Sequence, residues 1–187
     1  MMRAANCILL GLVLALSTAA CGVAMRAGAD FVPDLDMGRY RTFGFDEAAI
    51  SRTGDVRLEQ NPYFKDRLVE AIERELSSRG IRRDESSPEM MVHFHLTVED
   101  HLEVYDADPQ SGSPVSEFGV GTEILQYEQG TFVVHFEDPG THDYVWVGWS
   151  AGDIGRALTG SEEMRKWVDE AVASMFEHLP VLTRERS

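Results

Sequence analysis

Phe64, Leu68, Ile72 and Leu76 recur every four residues, and Ala71 widens the stripe. Lys65, Asp66, Glu70, Glu73 and Arg74 occupy the opposite side. This spacing predicts an amphipathic helix with one side to bury, and such a helix needs a second layer to pack on. Asn61-Pro62 opens it, since Asn caps a helix start and Pro is tolerated at the first helical position. Gly80 stands where a C-terminal glycine cap is expected. A second stripe, Met164, Trp167, Val168, Ala171, Val172, Met175 and Phe176, begins after Ser161-Glu162-Glu163 and stops before Pro180. Its first-turn acids suit the positive end of the helix dipole.

The remaining elements alternate at strand spacing. Residues 39–45 form a first strand, with Arg39, Arg41, Phe43 and Phe45 on one face. From Met90 to Tyr105, Val92, Phe94, Leu96 and Val98 fall on one face and Met91, His93, His95 and Thr97 on the other. A further strand begins within 123–128, followed by 131–136 and 144–149. The Asp138-Pro139-Gly140-Thr141 turn joins the last two as a hairpin. Residues 46–60 and 106–122 are expected as loops, and 22–36 as a tether. The predicted fold is therefore α+β and two-layered, in the order β-α-β-β-β-α. A mixed sheet of about four strands carries two amphipathic helices on one face or near its ends. The first helix crosses over between parallel strands.

The N-terminus gives an address. Arg3 is followed by an apolar run from Ile8 to Leu16 and by the small residues Ser17-Thr18-Ala19-Ala20 before Cys21. That run is far short of the roughly 20 residues that span a bilayer, and the pattern is that of a secretory signal. A cysteine at the end of the small stretch resembles a lipobox, although Thr18 stands where Leu is commonest. Cleavage before Cys21 removes Cys7 and leaves one cysteine, so no internal disulfide can form, and lipidation explains the odd thiol. Several acyl chains, at about 0.8 kcal/mol per buried methylene, would anchor the chain stably. The alternative is ordinary secretion after Ala20 with a free thiol. The expected organisation is a signal at 1–20, a lipidated N-terminus and tether at 21–36, one domain at 37–182 and a tail at 183–187.

The formal charge is −15. Such a chain repels phosphate backbones and anionic lipid surfaces, so nucleic acid is not an expected partner and attachment to a membrane must come from the lipid.

Several segments are similar to a family of bacterial lipoproteins known as domain of unknown function 4136. These are Tyr40-Arg41-Thr42-Phe43, Asn61-Pro62 with Ala71-Ile72-Glu73-Arg74-Glu75-Leu76, and Val92-His93-Phe94-His95-Leu96. Gly130-Thr131-Phe132-Val133-Val134 and Trp146-Val147-Gly148-Trp149 complete the set. The resemblance spans about residues 30–180. It implies an envelope lipoprotein and an α+β fold, and it carries no activity to transfer.

Three groups of residues carry candidate chemistry. Gly148-Trp149-Ser150-Ala151-Gly152 matches the G-x-S-x-G elbow of serine hydrolases, which needs Ser at a strained strand-to-helix turn. Ser150 instead continues a strand pattern, and the next helix begins only near Ser161. Gly148 and Ser150 are then expected as small residues at an edge or bulge. His93 and His95 share a strand face, and His135 is expected on a neighbouring strand, where imidazoles can bind Zn²⁺ or Cu²⁺. The competing expectation is a half-buried polar sheet face. Trp146 and Trp149 fall on opposite faces, so one indole points away from the helices as a candidate interaction surface. Gly119-Val120-Gly121 is no phosphate cradle, because no strand-to-helix step follows, and no cofactor is expected. These observations favour a non-enzymatic, membrane-anchored lipoprotein that binds another envelope protein. Gly22 after the cysteine, rather than Asp, resembles the signal for outer-membrane sorting, facing the periplasm.

Overall fold

The alternation in residues 90–98 sets the plane of the sheet. Val92, Phe94 and Leu96 are buried, and His93 and His95 on the other face are only half-buried. The computed structural model describes residues 24–46, 55–61, 63–106 and 122–180. Its strands are β1 (Arg26–Phe31), β2 (Thr42–Phe45), β3 (Arg82–Arg83), β4 (Met90–Asp106), β5 (Thr122–Asp138) and β6 (Asp143–Asp153). Its α-helices are α1 (Val56–Glu59), α2 (Phe64–Ser78) and α3 (Ser161–Phe176). The strands form one sheet in the order β1-β6-β5-β4-β2-β3. The pairs β1·β6, β6·β5 and β5·β4 are antiparallel, while β2 runs parallel to both β4 and β3.

The crossover expected for the first long helix is present: α2 lies between the parallel strands β2 and β4 in the chain. Its buried residues Phe64, Leu68, Ala71, Ile72 and Leu76 are the predicted stripe. Those of α3 match the second stripe. Both helices bury these residues in one core with Phe43, Val92, Phe94, Phe132, Phe136 and Trp146. Each such aromatic contributes about 1.5–3 kcal/mol relative to an exposed position. The core side chains of β4 and β5 all sit on one parity, so the helices cover one face of the sheet and leave the other open.

The strand count, helix count and order differ from expectation: among the described residues, six strands and three α-helices replace about four and two. β1 lies inside the expected tether. Its Arg-Ala-Gly-Ala-Asp-Phe sequence carries no apolar alternation because Ala27 and Ala29 are the residues it packs against the core. β3 has only two residues, too short for a period. α1 lies inside the expected loop 46–60, where Asp55 caps it by accepting from Arg57 N–H at 2.8 Å. The first strand begins at Thr42 rather than Arg39, because Asp36 caps a 3-10 turn over Met37–Arg39. The segments 123–128 and 131–136 are one strand. Gly130 between them is no turn; it makes room, since a Cβ there would lie 2.8 Å from the Trp167 ring. The second long helix starts at Ser161 as expected, after Gly160, which caps it without a side-chain bond. The hairpin turn falls at Asp138–Asp143 as expected, with Asp138 Oδ1 accepting from Gly140 N–H at 2.9 Å and His142 in the left-handed region at φ 62°.

The expected signal, Cys21 and Gly22, residues 107–121 of the segment expected as a loop and the expected tail lie outside the described residues. No helix among the described residues is long and apolar enough to cross a membrane.

Candidate functional site

The open face is built by the odd positions of β4 and β5 and by their partners on β6 and β1. Register places His93 opposite His135 and His95 opposite Val133. His135 and Val133 in turn face Val147 and Trp149 of β6, and Trp149 faces Gly28 of β1. A bulge between Phe136 and Glu137 shifts the register, so Tyr144 pairs with Glu137 and joins this face. The Tyr144 ring meets His135 at 5.0 Å and His93 at 6.0 Å, both edge-on. The His95 and His135 rings are 5.4 Å apart.

Carboxylates border the imidazoles. Glu137 receives His142 Nδ1 at 2.8 Å and has His93 Nε2 at 2.9 Å, the latter within ion-pair distance but out of hydrogen-bond alignment. Asp46 Oδ2 lies 3.4 Å from His93 Nδ1. His135 Nδ1 is buried and makes no hydrogen bond. Burial, and then the neighbouring His95 and His93, hold its pKa below the ordinary 6.5. The three histidines named from the sequence are thus brought together on the open face. Among the described residues, however, no group of three or more His, Cys, Asp or Glu is arranged to hold a metal ion.

The two tryptophans divide as their parity requires. Trp146 is fully buried, stacked on Phe136 at 4.6 Å and tilted against Phe176 at 5.6 Å. It belongs to the core, not to a surface. Trp149 lies on the open face, 41% exposed, with its indole over Gly28. Ser150 sits inside β6 on the helix-covered face, fully buried, and its Oγ has no hydrogen-bond partner. It stands neither at a strand-to-helix turn nor at an edge or bulge, because β1 covers that side of β6 and the bulge falls near Glu137. Gly148 is small for a different reason: the Trp146 indole lies across it.

Two features of this face escape motif reading. β4 and β5 stay paired as far as Asp106 and Thr122, whereas β6 accompanies β5 only from Gln129. The outer half of the hairpin is therefore a two-stranded ribbon of seven residues a side, roughly 24 Å at 3.4 Å per residue. Leu102 and Leu125 are exposed on its two faces. Tyr127 donates to Glu103 at 3.1 Å and Arg57 pairs with Glu128 near its base. Burial, and then Glu103, push the Tyr127 pKa up. The second feature is charge. Residues 84–155 contain fifteen acidic residues and neither lysine nor arginine, while the rest of the chain carries seventeen of each sign. The whole formal charge thus resides in β4–β6 with their connections.

A six-stranded mixed sheet with helices on one face and an acidic, aromatic open face defines a two-layer α+β protein. The family description is Domain of unknown function (DUF4136), its model matches residues 28–181, and the chain belongs to that family. No curated protein matches the sequence. Among solved structures, the chain is similar to a PDZ domain protein from Parabacteroides distasonis, at 15% identity and a TM-score of 0.50. That match covers 84% of this chain but only 37% of the other, so the chain spans little more than a third of that protein. It is also similar to the PelC dodecamer from Paraburkholderia phytofirmans, at 11% identity, TM-score 0.46, 83% of this chain and 98% of the other. A minor lipoprotein from Acinetobacter baumannii matches at 11% identity, TM-score 0.35, over 75% and 92%. At such identities the likeness concerns the fold alone.

Proposed function

We propose that the protein is an exported lipoprotein, held to a membrane by lipid on Cys21, whose open sheet face binds a basic component of the envelope. It acts as a non-enzymatic accessory subunit of a transport or assembly system, and Gly22 favours the periplasmic side of the outer membrane. The observation that carries this reading is the open face itself. It has no covering layer among the described residues, it exposes Trp149 and Tyr144, and it belongs to the segment that holds all the net charge. A strong negative field steers a Lys- or Arg-bearing partner and repels nucleic acid and anionic lipid. The half-exposed aromatics then supply the apolar contact.

The test has two arms. Cys21→Ser should give an unacylated protein that no longer sediments with membranes; an intact mass lacking acyl chains on the unsubstituted chain would remove the anchor. A photo-crosslinker at Trp149 should capture one discrete partner in cells, and capture should fall when Glu99 and Asp100 are changed to Lys. Equal capture from Glu170 on α3, or indifference to the two Lys substitutions, would overturn the face as the binding surface.

One observation favours a second reading, a metal- or small-ligand-binding module: the unpartnered Nδ1 of His135 beside His95. Calorimetry with Zn²⁺ and Cu²⁺ decides it, and heat that disappears in His135→Ala would support it.

A further inference from the structure

The two edges of the sheet are finished differently. β3, at one end, is two residues long and both are arginine, which is how soluble proteins protect an edge from pairing. β1, at the other end, is six residues long and has Ala27-Gly28-Ala29 at its centre. It carries neither Pro nor Lys, and among the described residues β6 is its only partner in the sheet.

The backbone polarity of β1 follows from one bond. Val32 N–H donates to the Val145 carbonyl of β6. By strand alternation, Asp30, Gly28 and Arg26 also direct their N–H and C=O groups at β6, while Ala29 and Ala27 direct theirs out of the edge, as does Phe31, whose N–H donates to the Asp30 carboxylate at 2.9 Å. Arg26, Gly28 and Asp30 lie on the open face and Ala27 and Ala29 on the helix side, where they pack on the core.

This arrangement is self-complementary. We infer that β1 pairs antiparallel with β1 of a second copy of this chain, about a twofold axis through Gly28, to give one continuous twelve-stranded sheet. With that axis, Ala27 and Ala29 of the second copy exchange backbone hydrogen bonds on each side of the centre. Arg26 falls opposite Asp30 of the second copy, twice. Shifting the axis by one residue keeps outward-facing donors paired but sets Arg26 against an uncharged residue, so charge selects the register. Two further features fit. The Trp149 indole lies over Gly28, where a Cβ would approach it to 3.0 Å, and its exposed part faces its symmetry mate across the axis. Phe31, 47% exposed, comes opposite Met25 of the second copy. The overall charge opposes association, but at physiological ionic strength charges further apart than about 8 Å are largely screened. The edge itself carries one charge of each sign at the paired positions.

The register makes a specific prediction for cysteine crosslinking. In the full chain with Cys7 and Cys21 replaced by Ser, Arg26→Cys and Asp30→Cys on different copies would face each other at a non-hydrogen-bonded position. Their Cα atoms would be about 4.5 Å apart, within disulfide range. Two copies of Arg26→Cys would be roughly 14 Å apart, out of range. Differently tagged Arg26→Cys and Asp30→Cys chains, mixed and oxidised, should therefore crosslink to each other and not to themselves. Asp30→Arg alone should weaken dimerisation about thirtyfold, from two pairs turned repulsive, and Arg26→Asp with Asp30→Arg should restore it. Both side chains are solvent-facing, and an unchanged melting temperature will show that the variants fold. Self-crosslinking of either single variant as fast as the mixed pair would overturn the proposal. So would a monomeric mass at high micromolar concentration, or a double swap as weak as the single.

Discussion

Gly148→Ala tests how the core is locked. A Cβ on Gly148 would lie 2.0 Å from Cη2 of Trp146 and 2.5 and 2.7 Å from two neighbouring ring carbons. Carbon atoms prefer roughly 3.5–4.0 Å, so the indole must move by about 1.5 Å. It has no room: Trp146 is fully buried between Phe136 and Phe176. Overpacking a filled core costs about 1–3 kcal/mol, occasionally more, and a ring held on both sides belongs at the upper end. Against a total stability of about 5–15 kcal/mol, a loss of about 3 kcal/mol is large. For a domain of this size it lowers Tm by roughly 6–12 °C. The comparison is Gly28→Ala, whose Cβ would meet Trp149 at 3.0 Å. That indole is 41% exposed and can turn aside, and Gly→Ala stiffens the unfolded chain, worth about 0.4–1 kcal/mol in the other direction. The net change there should be near zero. Thermal and urea unfolding of Gly148→Ala, Gly28→Ala, Trp146→Phe and the Trp146→Phe/Gly148→Ala double variant provide the assay. Phe lacks the outer ring that blocks position 148, so Gly148→Ala should cost at least about 1 kcal/mol less on that background. A Gly148→Ala protein that melts with the unsubstituted one, or an equal cost on both backgrounds, would refute the reasoning.

Two further predictions concern charge. Asp138 accepts from Gly140 N–H at 2.9 Å, from Arg39 at 3.0 Å and from the Tyr40 hydroxyl at 3.2 Å. The Gly140 N–H is the first cause of its depressed pKa. Asp138→Ala should cost about 1–3 kcal/mol at pH 7 by chemical denaturation. The stability the carboxylate supplies is present above the unfolded value of 3.8 and is lost as pH falls through the lower folded value, so the variant should lose less stability under acid. His135 has the same sign for a different reason. Its folded pKa lies below 6.5, so the native state resists the proton that the unfolded chain accepts. Stability is full above pH 6.5 and falls as pH drops toward the folded value. His135→Phe should flatten the Tm-against-pH curve between pH 7 and 5, although His93, His95 and Tyr144 still face the site; an unchanged slope would count against it.

The parts of this fold legible in the sequence are those whose burial is one-sided and long. The α2 and α3 stripes and the β4 alternation are legible because each repeats its period over several turns or pairs. β1 is not. Its core-facing residues are Ala27 and Ala29, so close packing on the core replaces apolar bulk, and small residues leave no hydrophobic period. β3 and α1 are too short to show one. Gly130 and Gly148 look like turn or edge residues in a string of letters, yet both are clearances for indoles, Trp167 and Trp146, reached only through packing. The histidines of the open face were visible as a period, since His93 and His95 share parity and His135 lies on the paired strand. The carboxylate Glu137 was not, because only the bulge beside it brings Tyr144 and His142 to that face.

Charge shows the same division between what a sequence counts and what a fold arranges. The helical layer is itself acidic, with five basic and eight acidic residues on α2 and α3, but several of its charges are paired: Arg165 meets Glu162 and Asp169, Arg79 meets Glu75, and Arg74 reaches from α2 to Asp169 on α3. Such exposed pairs contribute little to stability, typically about 0–1 kcal/mol, and they offset only part of the negative charge on that side of the molecule. Residues 84–155 contain no lysine or arginine, so their acids rely on the few cations other segments lend. Arg39 reaches Asp138 and Arg57 reaches Glu128, both from the helix-covered side. Arg26, on the open face, is hydrogen-bonded to Gln129 rather than to a carboxylate. The open face therefore carries exposed acids such as Glu99 and Asp153 on strands without lysine or arginine, and aromatic side chains also stand exposed there. A segment of fifteen acidic residues with neither lysine nor arginine, bearing the exposed Trp149 and Tyr144 on its uncovered face, is what makes that face the place to look for a partner.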